Sequence, residues 1–76
     1  MHYTLIISWS DEDQTYVVSF PEWGDATHTH GATYVKAARN GQAVLADLVE
    51  LWRELGRALP APKMFAVSAY TVAIPP

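Results

Sequence analysis

Two of the three histidines of this chain, His28 and His30, are one residue apart in the stretch ATHTHGAT, residues 26 to 33. In a strand, side chains at i and i+2 point to the same face, so the two imidazoles could share a metal ion. A tetrahedral site needs more ligands, and the third histidine, His2, belongs to another predicted strand. We therefore expect no metal site. His28 is interpreted as a polar strand residue, and His30 either as the same or as a hydrogen-bonding contact with a partner.

Three adjacent carboxylates, Asp11, Glu12 and Asp13, form a second candidate cluster. Nuclease chemistry with two metal ions needs carboxylates that converge from a strand centre and from other elements, with the ions about 3.5–4 Å apart. The first predicted strand carries threonine, leucine, isoleucine and serine at its centre and no acid. No serine has a glycine-flanked elbow, and no glycine-rich phosphate loop occurs. The acids are interpreted as a solvated turn, and neither catalysis nor a cofactor is expected.

The three tryptophans are expected to differ in burial. Trp9 on a strand and Trp52 on a helical stripe are predicted to be core residues. Trp23 follows Pro21 in a loop beside Gly24, and we expect it to be partly exposed. Exposed tryptophans are frequent interface anchors, so Trp23 either contacts a partner or folds back over the sheet edge.

The elements that position these residues begin with a β-hairpin. HYTLIISWS (2–10) alternates with period two and predicts a strand with Tyr3, Leu5, Ile7 and Trp9 on one side. DEDQT (11–15) is the turn, and YVVSF (16–20) is the returning strand, which ends at Pro21 because proline cannot donate to a ladder. A third, short strand is predicted over residues 26 to 30.

A helix follows, from about residue 34 to 55, with Thr33 as its N-cap and Gly56 as its C-cap. Its predicted apolar stripe has spacings of three and four and comprises Ala37, Gly41, Val44, Leu45, Leu48, Leu51, Trp52 and Leu55. Because Gly41 has no side chain, we expect the backbone in the first half of this helix to approach the sheet closely. ALPAPK (58–63) is a connector stiffened by Pro60 and Pro62. MFAVSAYTVAI (64–74) predicts a last strand.

The predicted fold is therefore a single α+β domain over residues 1–76, in the order β-β-β-α-β, with a mainly antiparallel sheet and one long helix on one face. Apolar residues occur on both sides of the first and last strands, as Ile6, Phe65 and Val67 show. One helix covers only one face. An uncovered apolar patch, and hence self-association into a homo-oligomer, is expected.

Composition narrows the classes of partner. The 76 residues carry a net charge of −3, and the five basic residues are scattered, which disfavours nucleic acid and suits a basic protein partner. There is no cysteine, so disulfides and thiolate chemistry are excluded. No apolar run approaches the ~20 residues of a membrane span, so we expect a cytoplasmic protein with no membrane contact.

Three segments in order resemble the HicB antitoxin family of type II toxin-antitoxin systems: YTLIISWSDEDQTYVVSFPEW, THGAT and AARNGQAVLADLVELWRELGRALPAP. The resemblance covers about residues 3 to 70. It implies a partial RNase H-like domain without catalytic carboxylates, which binds and inhibits HicA, a small basic mRNA-cleaving toxin. The family's C-terminal DNA-binding module is absent here, so no direct DNA binding is expected. The helix's first turn, TYVKAA, also lacks the acidic pair of the family's T-x-E-E-A pattern.

The resulting hypothesis is a non-enzymatic antitoxin domain whose candidate partner contacts are Asp11, Glu12, Asp13, Glu22, Trp23, Asp25 and His30. The rival hypothesis is a small metal-dependent nuclease or RNA-binding domain on an RNase H-like frame, which would use His28, His30 and the acids. A domain that only assembles with itself is the third alternative.

Overall fold

The computed structural model of the chain describes residues 2–24, 27–63 and 70–73. The elements in order are β1 (His2–Ser10), β2 (Thr15–Ser19), a 3-10 turn (Pro21–Trp23), β3 (His28–Gly31), α1 (Tyr34–Glu54) and β4 (Tyr70–Ala73). They form a four-stranded sheet in the order β3-β2-β1-β4, in which every pairing is antiparallel. The predicted α+β layout is confirmed. The predicted last strand is observed at residues 70–73, and the rest of it lies outside the described residues.

The hairpin follows the period-two pattern of the sequence. β1 has the predicted bounds, and it pairs with β2 from Ile6 opposite Ser19 to Ser10 opposite Thr15. Thr15 belongs to β2, which leaves only residues 11–14 in the turn, one fewer than predicted. Thr15 also donates its hydroxyl to the carbonyl of Gly31, 3.0 Å away, and this bond ties the hairpin to β3.

The helix also has its predicted bounds to within a residue. The Lys36 backbone N–H donates to the Thr33 hydroxyl at 3.1 Å, which confirms the N-cap. The last helical residue is Glu54 and the C-cap is Leu55, not Gly56 as predicted; Gly56 follows the cap with a φ of +69°, a conformation that favours glycine.

The face of α1 turned toward the sheet is narrower than predicted. Its buried positions recur every four residues, at Ala37, Gly41, Leu45 and Val49. Leu51 and Leu55, which the prediction placed in the stripe, are 48% and 60% exposed. Leu51 lies two residues beyond Val49, about 200° around a helix of 3.6 residues per turn, and Leu55 follows the last helical residue. The expectation that these two leucines are core residues is wrong.

The core lies between α1 and one face of the sheet, and it includes Tyr3, Leu5, Val18 and Phe20 from the strands. A methyl group on Gly41 would lie 3.0 Å from Leu5 Cδ1 and 3.1 Å from Val18 Cγ1, which confirms the predicted close approach. The approach at Gly31 is closer still. A Cβ there would overlap the Ala37 backbone nitrogen and lie 2.7 Å from Ala37 Cα. Gly31 is thus the last residue of β3, and its backbone packs directly against the first turn of the helix.

Trp23 and Trp9 have the reverse of their predicted burial. Trp23 is only 8% exposed, because the 3-10 turn folds its ring onto Tyr3, 5.1 Å away, and Trp52, 4.9 Å away. The Arg57 guanidinium covers the outer side of this cluster, 4.2 Å from the Trp52 ring. Trp9, predicted to be a core residue, is 46% exposed. Trp23 is therefore the aromatic that folds back, and Trp9 is the tryptophan that meets solvent.

Candidate functional site

Glu22, one of the predicted partner contacts, is occupied inside the fold. Its carboxylate is buried and accepts from the Thr4 backbone N–H at 3.0 Å, the Thr4 hydroxyl at 2.9 Å and the Lys63 backbone N–H at 3.0 Å. The β1–β2 ladder ends at Ile6 and Ser19, so Glu22 satisfies the Thr4 N–H where β2 has already ended. The prediction that Glu22 is a surface acid is wrong, because the side chain joins β1 to the connector.

The connector is fixed by a second contact from β1. The Tyr3 hydroxyl donates to the Pro60 carbonyl at 2.6 Å. Burial raises the pKa of the Tyr3 phenol, and the nearby Glu22 carboxylate raises it further, while Arg53 acts in the opposite direction. The phenol therefore remains a protonated donor at neutral pH.

The histidine pair lies on the face of the sheet away from the helix. His30 pairs with Val17 and His28 with Ser19, and both histidine side chains are exposed on the same side of β3, as their spacing predicts. They border an open depression of about 550 Å³. Its lining residues are Asp13, Thr15, Val17, His28, Thr29 and His30. The fold thus brings Asp13 and His30, two of the predicted site residues, to one surface.

This depression does not assemble a metal centre in the part of the chain that the structure describes. Within residues 2–24, 27–63 and 70–73, no group of three histidine, cysteine or acidic side chains could hold a metal ion. His30 is used structurally through its backbone, since its carbonyl accepts from Asn40 Nδ2 at 2.7 Å and so ties β3 to α1. Asp25, another predicted contact, lies outside the described residues.

The outer face of the sheet carries both apolar and polar side chains where the structure describes it. Ile6 and Val17 are half-buried there, and Ser8, the direct cross-strand partner of Val17, is exposed. Phe65 and Val67 lie outside the described residues. Within the strands β1, β2 and β3, this face therefore presents small polar, aliphatic and histidine side chains.

A row of aromatic rings that the sequence did not single out crosses the hairpin end of the helix-bearing face. The Trp9 ring meets Tyr16 at 5.0 Å with planes at 70°, and Tyr16 meets Tyr34 at 5.5 Å with planes at 88°. Trp9 and Tyr16 are direct cross-strand partners, and Tyr34 is the first residue of α1. We call these three residues the aromatic ladder. Trp9 is 46% and Tyr34 39% exposed, and Val35 beside them is 60% exposed.

The hairpin turn places its carboxylates next to this ladder. Asp11, Glu12 and Asp13, which we call the acidic tip, are all exposed. The Trp9 indole N–H donates to Asp11 Oδ1 at 2.8 Å, and the Asp13 backbone N–H donates to the Ser10 hydroxyl at 3.2 Å. No lysine or arginine among the described residues neutralises any of the three acids. The aromatic ladder and the acidic tip therefore form one surface that combines apolar rings with negative charge.

This surface had a partial signal in the sequence. The predicted hairpin places Trp9 and Tyr16 close to the turn, but its five-residue turn would pair Trp9 with Val17, and only the observed four-residue turn makes Trp9 and Tyr16 direct partners. The third ring could not be inferred, because it requires knowing where the helix crosses the sheet. Among the described helical residues none forms a segment long and apolar enough to cross a membrane.

Comparisons of the chain with protein-family models, with curated proteins and with solved structures find no match.

Proposed function

We propose that the chain is a non-enzymatic HicB-like antitoxin domain that binds and inhibits a small basic mRNA-cleaving toxin of the HicA type. The observation that carries this proposal is the acidic tip. Three exposed carboxylates without a cationic partner among the described residues adjoin exposed aromatic rings. Such a surface is electrostatically complementary to a basic RNA-binding protein and repels the RNA itself.

The layout of the domain supports the same proposal. The order β-β-β-α-β, with the helix on one face of an antiparallel sheet, is the layout expected from the resemblance to HicB antitoxins. The three resembling segments correspond to the β1–β2 hairpin with its 3-10 turn, the β3–α1 junction, and α1 with its connector. We propose on this basis a partial RNase H-like domain in which the frame serves binding and not catalysis.

The charges of the described residues favour a protein partner over RNA. Arg57 lies over the Trp52 ring, and the Lys63 ammonium group lies 3.4 Å from the Pro21 carbonyl, to which it donates. Neither residue belongs to the aromatic ladder or the acidic tip. An RNA-binding surface needs clustered cations, and Lys36 is the single lysine or arginine within two sequence positions of the rings that could stack on bases.

Self-association remains part of the proposal. No helix among the described residues covers the outer face of the sheet, and Ile6 and Val17 lie there half-buried. A second copy that covered this face would bury them fully, which would stabilise a domain of only 76 residues. The aromatic ladder would remain open to a toxin in such a dimer, because its rings lie on the helix-bearing face, whereas Asp13 of the acidic tip also lines the depression on the outer face.

The binding proposal is tested by removing the charges of the acidic tip. The triple variant Asp11→Asn, Glu12→Gln, Asp13→Asn keeps the shape of the tip and the acceptor for the Trp9 indole. Its affinity for a HicA-type toxin, measured by isothermal titration at low salt, should fall by about tenfold, because three complementary charges are lost.

The matched control is Asp47→Asn, Glu50→Gln, Glu54→Gln, which removes the same charge from exposed positions of α1. This control should bind the toxin with nearly wild-type affinity. If both triple variants bound the toxin equally weakly, net charge alone would explain the loss of affinity, and the acidic tip would not be the contact surface. Metal-dependent RNA cleavage by the chain, abolished by His30→Ala, would favour the rival nuclease hypothesis instead.

A further inference from the structure

The aromatic ladder lies where the helix-bearing face of the sheet extends beyond the start of α1. Trp9 is 46% exposed, whereas on the same side of β1 Ile7 is half-buried and Leu5, four residues from Trp9, is buried. The ring is nevertheless held in place, since it makes an edge-to-face contact with Tyr16 and its indole N–H donates to Asp11. A large aromatic ring that is both exposed and immobilised loses little conformational freedom when a ligand covers it.

The polar surroundings of the ladder determine what can cover it. Asp11 joins the ring system through its Oδ1 atom, and Glu12 and Asp13 follow it in the same turn. Lys36 is the only cationic residue within two sequence positions of Trp9, Tyr16 or Tyr34. A ligand at this surface therefore meets aromatic rings and carboxylates together. That combination suits a cation with a flat, weakly hydrated head group.

We propose that the aromatic ladder and the acidic tip form a docking site for an arginine-bearing segment of a protein partner. A guanidinium group stacks on the exposed part of the Trp9 ring while its N–H donors reach the carboxylates of Asp11 and Glu12. Arginine fits better than lysine because its planar fork can stack and donate at once, whereas an ammonium group is a compact and strongly hydrated charge. The identity of the partner rests on the proposed function, whereas the site rests on the exposure of Trp9 and its contact with Asp11.

The chain shows this mode of contact once already. Arg57 places its guanidinium carbon 4.2 Å from the centre of the Trp52 ring. That contact lies within the chain, where Arg57 packs on the cluster of Tyr3, Trp23 and Trp52. At the aromatic ladder the ring is again a tryptophan, Trp9, and the carboxylate of Asp11 lies beside it. The exposed part of the Trp9 ring is open to an arginine of a partner.

The test uses the wild-type chain and short peptides with blocked ends. One peptide alternates glycine and arginine over eight residues, the second has lysine in place of arginine, and an eight-nucleotide oligouridylate is the third ligand. In titrations at low salt the arginine peptide should bind about threefold more tightly than the lysine peptide. The oligouridylate should not bind, because the carboxylates repel its phosphates.

The variant Trp9→Leu should weaken binding of the arginine peptide about fivefold, as expected for the loss of one cation–π contact. Trp9→Phe, which keeps a ring, should lose less. The matched control is Leu51→Ala, since Leu51 on α1 is 48% exposed and lies outside the ladder. In two-dimensional NMR of the ¹⁵N-labelled wild-type chain, addition of the arginine peptide should shift the signals of residues 9–16 and 34–35. This measurement does not depend on the folding of any variant.

Several outcomes would overturn the inference. They are equal affinity for the two peptides, tighter binding of the oligouridylate, or NMR shifts confined to other residues. The two proposals fail separately. A toxin that binds Trp9→Leu as tightly as wild type removes the ladder site and leaves the antitoxin proposal in place. If the chain binds no HicA-type toxin but binds the arginine peptide, and Trp9→Leu weakens that binding, the ladder site stands and the antitoxin proposal is removed.

Discussion

The substitution Gly31→Ala is expected to lower the free energy of unfolding by about 3 kcal/mol, the upper end of the usual cost of overpacking. A Cβ at this position overlaps the Ala37 backbone nitrogen and lies 2.8 Å from the Lys36 carbonyl carbon. Backbone atoms cannot rotate away as a side chain can. The first turns of α1 would have to move off β3, which would strain the hydrogen bond from Asn40 to His30. Urea denaturation followed by circular dichroism measures the change.

The matched control is Gly41→Ala, the same substitution at another buried glycine. Its new methyl group would meet the side-chain methyls of Leu5 and Val18 at 3.0 and 3.1 Å, and these can shift by a few tenths of an ångström. Alanine also favours a helix interior over glycine by about 1 kcal/mol, which offsets the crowding. Gly41→Ala should therefore change stability by less than about 1 kcal/mol. If both substitutions had the same small effect, the close contact between β3 and α1 would be contradicted.

The second large effect is expected for Glu22→Leu. Leucine has a similar size but cannot accept the three hydrogen bonds that the carboxylate receives from Thr4 and Lys63. The Thr4 N–H is buried and has no strand partner on the β2 side, so it would be left unsatisfied. We expect a loss of about 3 kcal/mol in the free energy of unfolding, in the range for removing a buried charged acceptor.

The control for this prediction is Glu22→Gln. The amide oxygen can still accept from Thr4 N–H, while its NH₂ group faces a donor at the Lys63 N–H. The loss should be smaller, about 1 kcal/mol, the net value of one hydrogen bond. Chemical denaturation of the two variants side by side gives the comparison. If Glu22→Leu were as stable as wild type, the carboxylate would have to be a surface group, as the sequence first suggested.

Local sequence patterns predict the elements of this fold well. The bounds of β1 follow from alternation over nine residues, and those of α1 follow from the Thr33 cap and the glycine after its end. These signals are local, because each depends on residues within one turn or one strand. The antiparallel hairpin was predicted for the same reason.

Burial of individual aromatic and apolar side chains was not predictable in this way. Trp9 shares its strand face with Leu5, and only the position at which α1 starts decides that one is exposed and the other buried. Trp23 lies in a 3-10 turn whose direction depends on contacts with Tyr3 and Trp52, which are distant in the sequence. Leu51 continues the spacing of the stripe but lies off the narrow face that the sheet covers.

The candidate site shows the same division. The acidic tip was identified from three adjacent carboxylates, and its exposure is confirmed. Glu22 was grouped with it by charge alone, and its burial follows from the end of β2 at Ser19, which leaves the Thr4 N–H in need of an acceptor. The aromatic ladder joins β1, β2 and the start of α1, so no local sequence pattern predicts it.

The most direct test of the central proposal is inhibition of RNA cleavage. A small basic HicA-type toxin is mixed with labelled mRNA and increasing amounts of the wild-type protein, and the cleavage rate is measured. We predict that cleavage stops at a fixed molar ratio of chain to toxin. We also predict that the variant with all three acids of the tip neutralised needs about tenfold more protein for the same inhibition. Cleavage that continues at the same rate with the wild-type chain in excess, or RNA cleavage by the chain alone, would contradict the account.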